Sequence, residues 1–243
     1  MRVAAKTDVG QVRQHNEDCY SVGELPNGVA WAVICDGMGG AAAGNIASQT
    51  AAKMIAETIS ASYQEQMGSR SIKHLLVSAV DNANTRIFDL SLANETLAGM
   101  GTTVVAAIVS PQTACIAHAG DSRAYLFSGG EMLQLTKDHS VVQTMLDAGQ
   151  ITEDEARTHP RKNLITRAVG VGEQLDVDYC EQELRQGDIL LICTDGLTNC
   201  VDLEQIHALV RDGGFASCAE SLVNVANENG GLDNVTVVAI AND

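Results

Sequence analysis

Four stretches of the chain are apolar at nearly every position: residues 29–35, 102–109 and 189–194, and Val235–Ala241. Short runs without polar alternation predict strands buried on both faces. Residues 114–118 and 123–127 flank the turn Gly120-Asp121-Ser122, and 132–135 follows Ser128-Gly129-Gly130. This spacing predicts an antiparallel meander. Two longer stretches switch to a helical period. Ile46, Thr50, Met54, Ile55 and Ile59 share one face, and Ile72, Leu75, Leu76, Ala79, Val80, Ala83 and Ile87 share another. Near the end, Ser217-x-x-Glu220 predicts a capping box, and Asn229-Gly230 a helix stop. Strands and helices do not alternate strictly, so the order predicts an α+β fold of mostly antiparallel sheets.

Only three prolines (Pro26, Pro111, Pro160) and no linker-like composition interrupt the 243 residues, which predicts one domain over 1–243. Hydrophobic residues at 45% and charged residues at 19% suit a packed core and argue against disorder. Fifteen Lys and Arg face 31 Asp and Glu, a net charge of −16. Nucleic acid and anionic membrane are therefore not expected as partners. No apolar run approaches the ~20 residues of a membrane span, and the start of the chain lacks a signal-like apolar stretch. A cytoplasmic location is expected. The seven cysteines form no Cys-x-x-Cys pair, and none has an Arg six positions later. A zinc knuckle, a thioredoxin-type site and a cysteine-based phosphate loop are not expected.

The candidate chemistry lies in acids at strand ends. The runs ending at Cys35 and Thr194 both pass into Asp-Gly, at Asp36-Gly37 and Asp195-Gly196. The Gly is expected to let the chain turn sharply, so that its own carbonyl faces a ligand. Asp121 sits in the meander turn, Asp233 precedes the last strand, and Asp18 follows Asn16-Glu17. Each Asp-Gly alone reads equally as a turn, and spacing does not bring the five acids together. If they do cluster, their repulsion calls for cations. An all-oxygen donor set selects hard ions such as Mg²⁺ or Mn²⁺.

The ordered motifs carry more than any one of them. They are Thr7-Asp8-x-Gly10-x-x-Arg13-x-x-Asn16-Glu17-Asp18, Asp36-Gly37-Met38-Gly39-Gly40-x-x-x-Gly44, Met100-Gly101-Thr102-Thr103 and Gly120-Asp121-Ser122-Arg123. Leu135-Thr136-x-Asp138-His139-Ser140, His159-Pro160-Arg161, Leu164-Ile165-Thr166-Arg167-Ala168-x-Gly170, Thr194-Asp195-Gly196-Leu197 and Asp233-Asn234-Val235-Thr236 follow. In this order, over nearly the whole chain, they resemble the metal-dependent Ser/Thr protein phosphatase family (type 2C, or PPM) in its compact bacterial form.

The resemblance implies an antiparallel β-sandwich flanked by helices on both sides, in α-β-β-α layers, with metals at one end. It implies two core Mn²⁺ or Mg²⁺ ions and a position for a third. Asp36 falls at the bridging ligand and the Gly37 carbonyl on the first ion. Asp195, Asp233 and Asp18 fall at the other core positions, Asp18 through a water, with Glu17 as a lesser contributor. Asp121, with Asp195, matches the third position. Arg13 matches the phosphate-binding arginine, whose guanidinium fork suits a phosphate dianion. Asp36, Asp195 and Arg13 form the implied catalytic set. Residues 145–175 correspond to a flap. Arg157, Arg161, Lys162 and Arg167 are four of the fifteen basic residues and fall within 157–167; Arg161 is the candidate substrate contact among them. The implied reaction is hydrolysis of phosphoserine and phosphothreonine by water activated between the ions. The implied partners are phosphorylated proteins, a cognate Ser/Thr kinase and its substrates, and the implied state is a monomer.

One position departs from the family pattern. The His that follows Asp-Gly-Met-Gly-Gly, a general acid for the leaving alcohol, is Ala41 here. A slowed phosphatase is expected, and a phosphatase-like module that binds phosphoproteins without turning them over is the alternative. A dinucleotide site at Gly37-x-Gly39-x-x-Ala42 is not expected, because 45–62 stays helical and Glu57 ends no second strand. Ser122 lacks the second Gly of a hydrolase elbow.

Overall fold

The computed structural model describes residues 1–40 and 43–243. Ala41 lies outside the described residues. Two antiparallel sheets pack face to face. Their strands, in chain order, are Arg2–Asp8 (β1), Asp18–Leu25 (β2), Val29–Met38 (β3), Gly101–Thr102 (β4), Val104–Val109 (β5) and Thr113–Ala119 (β6). Arg123–Ser128 (β7), Glu131–Gln134 (β8), Asp178–Glu183 (β9), Ile189–Cys193 (β10) and Val235–Ala241 (β11) complete them. The helices are Ala43–Ser62 (α1), Ser69–Ala93 (α2), Val141–Asp147 (α3), Glu153–Thr158 (α4), Asp195–Thr198 (α5), Leu203–Asp212 (α6) and Phe215–Glu228 (α7). One sheet runs β1-β11-β10-β7-β8; the other runs β2-β3-β5-β6-β9, with β4 paired to β3.

Three apolar layers explain why the central strands read as continuous. Ala30, Ala32 and Ile34 of β3 meet Leu190 and Ile192 of β10 between the sheets. Trp31, Val33 and Cys35 point the other way, onto α1 and α2. Leu191 and Cys193 of β10 face Val210 of α6 and Leu222 of α7. With both faces buried, neither face selects polar residues. The expected α-β-β-α layering is present.

The structure departs from the local expectations in three places. First, β6 and β7 do not pair. Gly120-Asp121-Ser122 carries the chain from one sheet to the other, while β7 pairs with β8 and β10. A tight-turn signature is the same for a hairpin and for a link between sheets, so only the partners of each strand decide. Second, neither Asp-Gly is a sharp turn. Asp36-Gly37 continues β3 and Asp195-Gly196 opens α5. Glycine is required there by close approach: a Cβ on Gly37 would meet the Glu17 carbonyl oxygen at 2.7 Å, and one on Gly196 would fall onto the Asn234 carbonyl. Third, α7 starts two residues before Ser217, whose hydroxyl donates back to the Gly213 and Gly214 carbonyls. The capping box is instead Thr152 with Glu155 on α4. The stop at Asn229-Gly230 is where α7 ends. The edge strands β1, β2 and β9, which the apolar pattern does not predict, carry mixed, half-buried sequences and give no apolar run.

Candidate metal centre

Five carboxylates reach one end of the sandwich from five separate places. Asp18 opens β2 and is the cross-strand partner of Asp36 on β3. Asp121 sits in the link between the sheets, Asp195 is the first residue of α5, and Asp233 lies just before β11. Asp36, Asp121, Asp195, Asp233 and Glu17 line a cavity of about 560 Å³.

Hydroxyls and amides fix these acids. The Asp36 N–H donates to Thr103 Oγ1 at 3.0 Å, and Thr103 Oγ1 pairs with Ser122 Oγ at 2.8 Å. Ser122 is therefore a brace rather than a nucleophile. Asn199 Nδ2 donates to Asp195 Oδ2 at 2.9 Å. The Asn234 side chain accepts from the Glu17 N–H and donates to the Val9 and His15 carbonyls. Thr103, Thr194, Asn234 and Thr236 were visible only as motif letters, because hydroxyls and amides carry no chemistry until their partners are known.

Asp18 is the most constrained of the five. Thr194 and Thr236 both donate to its Oδ2, at 2.9 and 2.7 Å. Its Oδ1 is buried with no partner, a costly state for a carboxylate. Burial raises Asp18 to about 7 against the pull of the two threonine hydroxyls, with Asp195 and Asp233 adding to the rise. Asp121 is raised to about 7 by burial and Asp195, and Asp195 to about 6 by burial and Asp233. Asp36 is pushed well up by burial and then by its acidic neighbours, Asp18 first. An orphaned buried oxygen among acids that raise one another fits hard, oxygen-seeking divalent cations.

Arg13 stands at the lip, its Nη2 2.7 Å from Asp233 Oδ2. Arg161 does not line the cavity in this structure; its guanidinium lies against Met145 Sδ at 3.8 Å. The segment between α4 and β9 instead contributes Asn163, Leu164 and Ile165. His15 is the one histidine among the described residues that lines the cavity.

Arg167, grouped by sequence with the free basic residues, is tied down. Its Nη1 lies 2.8 Å from Asp178 Oδ1 and 3.2 Å from His139 Nε2. The His139 Nδ1 accepts from the Gly120 N–H, and the His139 backbone N–H donates to the Gly120 carbonyl. His118, His139 and Asp178 place three ligand-type atoms within 4.8 Å. The two rings are stacked 4.7 Å apart at 12°, so their in-plane lone pairs run side by side rather than to one point. Arg167 already supplies the cation. The cluster is a strut joining β9, the Asp121 turn and the Arg167 segment.

The chain matches the family model described as "Protein phosphatase 2C" over residues 9–236. It is 37% identical to protein phosphatase PhpP of Streptococcus pneumoniae, covering 99% of this chain and 97% of the relative. Among solved structures, the Mycobacterium tuberculosis serine/threonine phosphatase PstP/Ppp superposes with a TM-score of 0.89 at 38% identity, covering 99% and 98% of the two chains. A PstP catalytic domain in complex with two manganese ions gives a TM-score of 0.85 at 35% identity over 98% and 96%. With its motifs in order, its acids gathered at one end of a layered sandwich, and its likeness to these proteins end to end, the chain belongs to the protein phosphatase 2C family.

Proposed function

We propose that this phosphatase hydrolyses phosphoserine and phosphothreonine in proteins through a dinuclear Mn²⁺ or Mg²⁺ centre. Asp36, the Gly37 carbonyl, Asp195 and Asp233 would hold the two ions, with Asp18 acting through a water and Asp121 and Asp195 offering a third position. The observation that carries this reading is the meeting of Asp36, Asp121, Asp195 and Asp233, from separate parts of the chain, in one cavity, with Asp18 buried beside Asp36. The manganese-bound PstP relative supports it. Bound there, divalent cations supply Lewis acidity toward phosphoryl oxygens and acidify water.

The chain's own residues do the rest. Thr194 and Thr236 occupy one Asp18 oxygen and leave the other free for the site. Arg13 is half exposed and, among the described residues, held through Asp233 alone, so its fork can turn to a phosphate dianion. The chain is proposed to act as one domain, with 145–175 as its flap. No helix among the described residues is long and apolar enough to cross a membrane. A cytoplasmic monomer opposing a cognate Ser/Thr kinase is the proposed setting.

The test is Mn²⁺-dependent turnover of an aryl phosphate and of a phosphothreonine peptide. Hydrolysis of both, abolished by a chelator, is expected. Failure to turn over either one with Mn²⁺ bound would make the chain a binding module.

A second expectation concerns pH. The raised carboxyls stabilise the metal-free fold only while protonated. That contribution is complete below their unfolded values near 3.8 and is lost as pH rises through about 6 to 7. In chelator, the melting temperature should therefore fall between pH 5.5 and 8, and added Mn²⁺ should restore most at pH 8. Scanning calorimetry reads this; an equal Mn²⁺ effect at both pH values counts against the carboxylate assignment.

A further inference from the structure

Eight large apolar side chains are exposed among the described residues; one of them, Leu164, lines the cleft, and two, Val12 and Leu232, each directly precede a residue that does. Val12, 62% exposed, directly precedes Arg13, and Leu232, 58% exposed, directly precedes Asp233. The Gln11 and Val12 N–H groups both donate to the Gly231 carbonyl, at 2.8 and 3.3 Å, which binds the two loops into one lip around the Arg13–Asp233 pair. Leu164, 52% exposed, lines the cleft itself from the segment between α4 and β9. None of the three packs into any of the apolar layers. Within the cleft, Met38 and Ile165 extend the apolar surface. On a chain of net charge −16, exposed apolar side chains beside the Arg13–Asp233 pair mark a contact surface. Ile46, Leu92, Leu133, Val171 and Leu203, the other exposed apolar residues, neither line the cavity nor adjoin a residue that does.

We propose that Val12, Leu164 and Leu232 select the substrate segment: a phosphoserine or phosphothreonine in extended chain, flanked by apolar side chains that dock on the two lips. The proposal rests on the phosphatase reading above. Successive residues of an extended strand advance ~3.3 Å with side chains alternating in direction. A phosphoresidue pointing to the metals therefore turns its immediate neighbours outward and leaves the residues two positions away on either side to meet the lips. Hydrophobic docking of this kind discriminates by roughly tenfold per side chain, the lower end of what apolar pockets achieve.

The test uses two phosphothreonine peptides of equal charge and length, one with Leu and Val two positions before and after the phosphoresidue and one with Ser at those positions. The Mn²⁺-loaded protein should show at least a tenfold higher kcat/KM on the apolar peptide. The ratio should fall toward one in the triple variant Val12→Ser, Leu164→Ser, Leu232→Ser, and by part in Val12→Ser and Leu232→Ser alone. Because a ratio of two peptides is read, a general loss of rate cancels, and the single variants keep the test open if the triple variant is inactive. Equal kcat/KM on both peptides, or an undiminished preference in the variants, overturns the proposal while aryl phosphate turnover leaves the phosphatase reading standing. Loss of aryl phosphate turnover in the parent would instead remove that reading. A parent that sediments as a dimer and a triple variant that sediments as a monomer would reassign the lips to self-association and also overturn it.

Discussion

Asp36→Asn is expected to lower kcat on both aryl phosphate and phosphothreonine peptide by at least ~10³-fold. Asp36 is buried among acids, its carboxyl is driven up by that burial and by Asp18, and its backbone is clamped on both sides by Thr102 and Thr103. It is the acid paired across the strands with Asp18. Metal catalysis contributes several kcal/mol of charge stabilisation, and each ~1.4 kcal/mol is tenfold in rate. The fold should survive, because Asn preserves the shape and removes a repelling charge. In chelator the variant should melt no lower than the parent at pH 8. Wild-type rates in Asp36→Asn, measured at saturating Mn²⁺, would remove Asp36 from the centre.

Ala41→His should produce the second-largest change, in the opposite direction. Restoring a general acid is worth roughly 10²- to 10⁴-fold in the step it assists. A serine or threonine alkoxide needs its proton far more than an aryl oxide does. The gain in kcat should therefore be large on phosphothreonine peptide and small on aryl phosphate. Equal gains on both substrates would show that position 41 does not serve the leaving group.

The central strands were legible because both faces are buried, so that β3, β5, β10 and β11 announce themselves as uninterrupted apolar runs. The long helices α1 and α2 were legible because one face alone is buried. What escaped is what depends on partners. The strands β1 and β9 are edges whose half-wet sequences carry no period, and β6 and β7 look like a hairpin until each is seen to have other neighbours. At the site, the acids could be named from motifs, but not their meeting, because Asp18 and Asp233 come from opposite ends of the chain. Arg161 and Arg167 show the limit of reading charge alone. In sequence both are basic residues of one flap; in the fold one rests on Met145 and the other is spent holding Asp178, which His139 also faces.

Calorimetric titration of Mn²⁺ into the metal-free protein at pH 7.5, beside Asp36→Asn, reads the gathering of acids into a cation site directly. At least two ions per chain should bind the parent with release of protons from carboxyls that burial holds near neutrality, and the variant should lose tight binding. A parent that takes up no Mn²⁺, or a variant that takes it up as the parent does, would contradict the account.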